Sequence, residues 1–227
     1  MLGPTGLTLR DWSGRGNHGT LTSMDSGTDW VASQGGYCLD FDGTDDRVAF
    51  GSLSETGLVS NMSVSIWVYI LNTTPLQGII SQTGFSDEGW QIAVQNGSIR
   101  FPVYNLNTAS VTANRWNHIC CVRRGTGTAT NEVWINGSLV TSSSASNRLS
   151  PTYNLVIGKL YGGTGAFYFA GQVRDARIYS RPLCPHEIKL LGASHGIAYE
   201  MAPRRKASVQ VAASFNRRRR LLIGAGS

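Results

Sequence analysis

The stretch VSIWVYIL, residues 64–71, decides the fold. Val64, Ile66, Val68 and Ile70 alternate with Ser65, Trp67 and Tyr69. That is the period of a β-strand, whose successive side chains point to opposite faces. Working outward, GWQIAV (89–94), SIRFPVY (98–104), RWNHICCV (115–122), EVWINGSLV (132–140), YNLVIG (153–158) and FYFAGQVRDARIY (167–179) alternate or run apolar over strand length. Turn residues bound each of them. Asn136-Gly137 sits between Trp134-Ile135 and Leu139-Val140. It predicts a hairpin, because a type I′ turn needs positive φ at both central positions and Asn-Gly adopts it at little cost. Pro102 removes a ladder donor, which places its strand at an edge or a bulge.

Seven or more strands with almost no helical periodicity predict an all-β, two-sheet antiparallel sandwich, each sheet hiding one face against the other. With 27 glycines and only 15% charged residues, the composition favours short strands and tight turns over amphipathic helices. One short helix is expected over residues 185–192, with Pro185 where a first turn tolerates it and Gly192 as the stop after Leu190-Leu191.

The net charge of +6 is uneven along the chain. Up to Ala202 there are 13 Lys and Arg against all 14 Asp and Glu, a net of −1, whereas residues 203–227 hold seven basic groups and no acid. The vocabulary changes after Pro203, so the expected organisation is a β domain over residues 1–195 and a basic, partly apolar arm over 196–227. No internal repeat at solenoid or propeller spacing occurs.

MLGPTGLTLRDW moves straight into turn and strand vocabulary with neither the basic flank nor the apolar run of a signal peptide. The apolar runs fall far short of the ~20 residues a spanning helix needs. These features predict a soluble chain made in the cytoplasm. Cys38, Cys120, Cys121 and Cys184 lack metal-ligand spacing, and an adjacent pair in a strand points to opposite faces. They read as buried free thiols.

By their order, DWSGRGNHGT (11–20), GGYCLDFDGTDDRV (35–48), MSVSIWVY (62–69), RWNHI (115–119), EVWINGSLV (132–140), VIGKL (156–160) and FAGQVRDARIYSRPLCPHEI (169–188) resemble the laminin-G-like, concanavalin A-like jelly-roll family over about residues 7–192. The resemblance implies a jelly roll of a dozen or so strands, often with a curved ligand-binding face. Within it, the RIY strand followed by Arg-Pro-Leu and a helix reads as the closing edge of a sheet being covered.

Some relatives with this fold are glucanases whose carboxylates alternate along one strand, roughly Glu-x-Asp-x-Glu, and no such run occurs here. The acids Asp40, Asp42, Asp45, Asp46, Asp87 and Glu88 fall in turn-like sequence, and His18, His118, His186 and His195 have no nucleophile elbow to serve. A non-enzyme is expected. The cofactor the resemblance suggests is Ca²⁺, with Asp42 and Asp175 as the carboxylates to test, although Arg174 stands beside Asp175 where relatives often carry an acidic pair. Glycan-binding candidates by strand position are Trp67, Tyr69, Trp90, Tyr104, Trp134 and Arg177.

The arm offers Arg204, Arg205, Lys206, Val209, Val211, Phe215, Arg217, Arg218, Arg219, Arg220, Leu221, Leu222 and Ile223 for docking. Its cations suit an acidic protein subunit or nucleic acid, and its apolar residues favour the protein. The functional expectation is a non-catalytic structural or adhesive module anchored by its arm to a larger assembly, such as the surface of a phage virion, where it serves as a decoration, fibre or head-associated protein. The alternatives are a free lectin-like carbohydrate-binding protein, reaching the outside by another export route, and a nucleic-acid packaging protein acting through the arginines.

Overall fold

The computed structural model describes residues 6–33, 36–52, 61–83, 89–101, 108–109, 111–125, 128–146, 153–162 and 165–193. The expectations attached to Pro102, Tyr104, Asp87, Glu88, His195 and the arm over 196–227 lie outside them. The described strands run in chain order β1 (Thr8–Leu9), β2 (Gly19–Thr22), β3 (Trp30–Ser33), β4 (Gly36–Asp42), β5 (Arg47–Ser52), β6 (Met62–Ile70), β7 (Gln77–Thr83), β8 (Gly89–Gln95) and β9 (Ser98–Arg100). They continue with β10 (Thr108–Ala109), β11 (Trp116–Arg124), β12 (Thr128–Ile135), β13 (Ser138–Ser146), β14 (Asn154–Ile157), β15 (Lys159–Gly162), β16 (Gly165–Tyr168) and β17 (Ala170–Tyr179), followed by helix α1 (Pro185–Ala193).

Two antiparallel sheets carry the architecture. One has eight strands in the order β1-β2-β5-β14-β7-β8-β9-β10, the other seven in the order β13-β12-β11-β6-β17-β4-β3. β15 and β16 form a separate two-stranded hairpin. The alternation in residues 64–71 works as expected: Val64, Ile66, Val68 and Ile70 enter the core with Ile119, Cys121, Val133, Ile135, Leu39 and Phe41 of the same sheet. Leu21, Val48, Trp90, Ile92, Val94, Ile99 and Ile157 of the other sheet meet them there. Burying such side chains stabilises the sandwich by about 1.5–3 kcal/mol each.

The Asn136-Gly137 hairpin forms between β12 and β13 with φ of 51° and 77°, the positive pair its turn requires. The amide of Asn136 donates to the His118 carbonyl at 2.8 Å, tying the turn to β11. Residues 167–179 divide into β16 and β17 around Phe169, which is fully buried.

Two expectations need correction. β17 is not a closing edge: it lies inside the seven-stranded sheet, hydrogen-bonded to β6 on one side and β4 on the other. The Arg-Pro-Leu and helix that follow it suggested a covered edge, but the helix lies over the sheet's outer surface and β4 pairs with the strand's free side. Gly192 does not stop α1, which continues to Ala193. A Cβ on Gly192 would stand 3.0 Å from both the Gly137 amide nitrogen and His118 Nδ1. The glycine therefore serves close approach of helix to hairpin rather than helix termination.

α1 lies over the outer surface of the seven-stranded sheet. Ile188 and Leu191 are buried beneath it, and Trp67 Nε1 donates to the Leu191 carbonyl at 3.2 Å. At its start Glu187 accepts the Cys184 amide at 2.9 Å, a first-turn glutamate reaching back to the cap residue. Glu187 also pairs with Arg181 through both oxygens, at 2.6 and 2.9 Å. These bonds, the Arg181 pair first, hold its carboxyl down to about 2.

Candidate functional site

Strand register brings together four residues that are far apart in sequence. Asp40 in β4 lies opposite Gln172 in β17, Gln172 opposite Tyr69 in β6, and Tyr69 opposite Trp116 in β11. Because paired residues share a face, the four form one row across the outer surface of the seven-stranded sheet. All four are half-buried. Tyr69 and Trp116 meet edge to face, with ring centroids 5.9 Å apart and planes at 65°.

A second row runs beside the first. Arg174 lies opposite Trp67, and Trp67 opposite His118. Here every member is buried, at 7%, 7% and 0% exposure, which separates this row from the first. The Arg174 guanidinium stands 4.5 Å from the centre of the Trp116 ring and 6.0 Å from that of Trp67, and it donates to Ser33 Oγ at 2.8 Å. At that distance the guanidinium packs against the Trp116 ring from the neighbouring row. Trp67 and His118 rings lie 5.3 Å apart, and His118 Nε2 is 2.9 Å from Ser65 Oγ.

The electrostatics of the half-open row centre on Asp40. Burial raises its carboxyl above the usual range, a hydrogen bond from Gln172 opposes that, and nearby Asp29 adds to the rise. Cys38 on the same strand is raised by burial, and its thiol lies 3.6 Å from Gln172 Oε1. The row thus presents a carboxylate, an amide, a phenol and an indole side by side. Such a surface suits a ligand with an apolar ring face and a rim of hydroxyls, the rings taking the face and the polar groups the rim.

The residues predicted from strand position divide sharply. Tyr69 belongs to the half-open row. Trp67 and Trp134 share the outer surface, but each is only 7% exposed, with its indole N–H donating internally: Trp67 to Leu191, Trp134 to Glu132 Oε2 at 2.9 Å. Trp90 is a correction outright. It sits in the core at 1% exposure with its N–H on Gln82 Oε1, because the alternation of β8 turns it inward with Ile92 and Val94. Arg177 is engaged by both oxygens of Asp175, at 2.7 and 2.8 Å. Sequence reading missed Trp116, Gln172 and Asp40, since nothing local in RWNHI or FAGQV announces that these positions become neighbours of Tyr69. It also missed Trp12, 85% exposed in the loop between β1 and β2.

The carboxylates offered for Ca²⁺ are not brought together. Asp42 pairs with Ala170, and Asp175 lies five residues further along β17, about 16 Å at the rise of a strand. Asp42 instead groups with Asp45 and Asp46, their nearest oxygens all within 4.8 Å. That turn is held by its own amides: Asp42 Oδ1 accepts Thr44 N at 2.7 Å and Asp46 Oδ2 accepts Asp42 N at 2.9 Å. Partial burial pulls the Asp42 carboxyl upward, but these amide bonds keep it below its ordinary value. The cluster offers oxygens that fit Ca²⁺ in kind, while Asp42 and Asp46 already have a structural role.

Cys38, Cys120 and Cys121 are buried free thiols, with Cys120 raised to about 12 by burial and the charge of Glu132. Cys184 departs from expectation: it is exposed, at the start of α1.

Comparison with known proteins places these features in context. A family model described as concanavalin A-like lectin/glucanases superfamily matches residues 42–189. No curated protein matches the chain. Among solved structures, the receptor-binding domain of botulinum neurotoxin C/D mosaic serotype aligns with a TM-score of 0.61 at 16% identity, covering 81% of this chain and 48% of that one. The binding domain of botulinum neurotoxin DC in complex with SialylT aligns with a TM-score of 0.62 at 15% identity, covering 81% and 48%. Domain 4 of AbnA, an extracellular arabinanase of Geobacillus stearothermophilus in complex with arabinotriose, aligns with a TM-score of 0.58 at 18% identity, covering 77% of this chain and 87% of that one. The chain spans about half the length of the toxin domains it matches, and at these identities the likeness is one of fold.

Proposed function

We propose that this chain, which belongs to the concanavalin A-like lectin/glucanases superfamily, is a non-catalytic glycan-binding module that uses the Asp40–Gln172–Tyr69–Trp116 row as its binding surface. The observation that carries the reading is the half-exposure of this row beside a buried row of similar chemistry. Aromatic rings there can stack on the apolar face of a sugar while Asp40 and Gln172 hydrogen-bond its hydroxyls. Solved neighbours in complex with arabinotriose and SialylT support the choice of ligand class. Catalysis by paired acids would need a second carboxylate about 5–9.5 Å away across the bond. The row holds one, and neighbouring Asp29 has its oxygens engaged by the Asp25 amide and the Thr28 hydroxyl.

The test is a glycan array probed with the full chain and its Gln172→Ala and Trp116→Ala variants. Selective binding lost in both variants supports the reading. Binding untouched by them, or release of reducing sugar from a bound polysaccharide, refutes it.

The arm supports a second element of the proposal, anchoring. Seven cations without an acid, on a chain whose remaining 202 residues carry a net −1, suit an acidic partner subunit, and Val209, Val211, Phe215, Leu221, Leu222 and Ile223 suit a protein surface better than phosphates. The module then displays its binding face from a larger assembly, a phage particle being one such setting. If the arm instead binds duplex nucleic acid, the log–log salt slope is about −6 for seven phosphate contacts. A slope near zero with retention of a protein partner favours anchoring.

A further inference from the structure

We propose that the loop between β1 and β2 is a second contact point, an aromatic-tipped turn that recognises acidic saccharides through Trp12 and its basic neighbours. The inference rests on the glycan-binding reading and names a ligand class for it, but the site lies on the other sheet. Trp30, Trp67, Trp90, Trp116 and Trp134 are all buried or half-buried, whereas Trp12 is 85% exposed. At that exposure the indole face is open to stacking by a ligand ring.

The backbone that carries that ring is ordered by the loop's own hydrogen bonds. The two carboxylate oxygens of Asp11 accept the Ser13 amide at 2.8 Å, the Ser13 hydroxyl at 2.7 Å and the Asn17 amide at 3.0 Å. The Asp11 amide donates to His18 Nδ1 at 3.0 Å, and the Arg15 amide to Ser13 Oγ at 3.2 Å. Gly14 and Gly16, at φ of 81° and 75°, supply the left-handed positions that close the turn. At the base, Trp30 Nε1 donates to the Gly6 carbonyl. With the backbone already ordered, only the side chain's own rotamer remains to be fixed on binding.

Charge selects the ligand. Arg10 and Arg15 are exposed in the same nine-residue loop, and its lone acid, Asp11, has both oxygens occupied by the loop's own donors. A ring that stacks on Trp12 while presenting a carboxylate to an arginine fork fits that combination, which makes a uronic-acid-type sugar the matched class.

The test uses the full ¹⁵N-labelled chain, whose indole N–H signals report each tryptophan separately, Trp12 being assigned from its absence in Trp12→Phe. Oligogalacturonate and a neutral oligogalactoside of equal length are titrated, with phosphatidylserine vesicles as a third probe. Movement of the Trp12 signal by the acidic oligosaccharide alone, at least tenfold weaker binding in Trp12→Ala and a partial loss in Arg15→Ala, is the expected result. Affinity is read in every variant from the backbone amide signals of residues 10–18, so polyanion binding at the arm does not enter the comparison. An unmoved Trp12 signal, equal movement by the neutral sugar, or movement by vesicles alone overturns the inference. The Trp116 signal keeps the two readings apart: if it moves and Trp12 does not, only this inference falls, while the row itself stands or falls by the glycan array.

Discussion

The outer surface of the seven-stranded sheet has two neighbouring rows with similar side chains and different fates. Arg174, Trp67 and His118 are buried, α1 reaching Trp67 through its bond to Leu191 and His118 through the approach of Gly192. Asp40, Gln172, Tyr69 and Trp116, one step along the same strands, stay half-open. Tryptophan on an outward strand position therefore says little about ligand by itself. What separates a platform from a second small core is whether a covering element reaches it.

The contrast is sharpened most by removing one aromatic from each row. Trp67→Ala is expected to cost about 3–5 kcal/mol of stability, as truncation of a buried tryptophan does, read as a lowered midpoint in chemical denaturation. Trp116→Ala, half-exposed, is expected to cost less stability and to act on glycan affinity. A similar loss of stability in both would erase the distinction between the rows.

A second way to break it is to lift the cover. Gly192→Val forces a side chain against the Gly137 amide and His118, contacts already at 3.0 Å for a bare Cβ, and overpacking of this kind costs about 1–3 kcal/mol. Loosening of α1 should appear as faster hydrogen exchange at the Trp67 indole, while Tyr69 and Trp116 keep their environment. In the open row, Gln172→Ala should weaken glycan binding roughly tenfold, equivalent to about 1.4 kcal/mol, with the denaturation midpoint nearly unchanged.

Acid–base behaviour distinguishes the regions by sign. Glu187, at the start of the covering helix, is held at about 2 against an ordinary 4.5. Its contribution is complete above pH 4.5 and is lost as pH falls through 2. Because the pair is largely exposed the loss is small, below about 1 kcal/mol, and Glu187→Gln should flatten stability over that window. Asp40 in the open row behaves oppositely: burial raises its carboxyl, so ionisation opposes folding as pH rises through the folded value. Asp40→Asn should therefore leave stability at neutral pH unchanged or higher while reducing binding. The smallest expected effect belongs to the Asp42–Asp46 turn, held by its own amides: EDTA should leave Tm unchanged.

Much of the fold was legible because its signals are local. Alternation in residues 64–71 put the right four residues in the core, Asn136-Gly137 marked its hairpin, and Pro185 marked the start of α1. The row was not legible, because Asp40, Tyr69, Trp116 and Gln172 are joined only by strand order and register, which alternation does not encode. The same gap explains why β17 read as an edge and why Trp90, Trp67 and Trp134 read as exposed candidates. Gly192 misled for a related reason: a glycine required by a distant hairpin looks in sequence like one required by a helix end. Trp12 lay in a loop, outside any search guided by strand position.

The central claim is tested most directly by a crystal structure of the full chain with an oligosaccharide selected on the array. The account predicts a sugar ring against Tyr69 and Trp116, with its hydroxyls within hydrogen-bond distance of Asp40 and Gln172. A sugar bound on the eight-stranded sheet, with that row in contact with water alone, would contradict it.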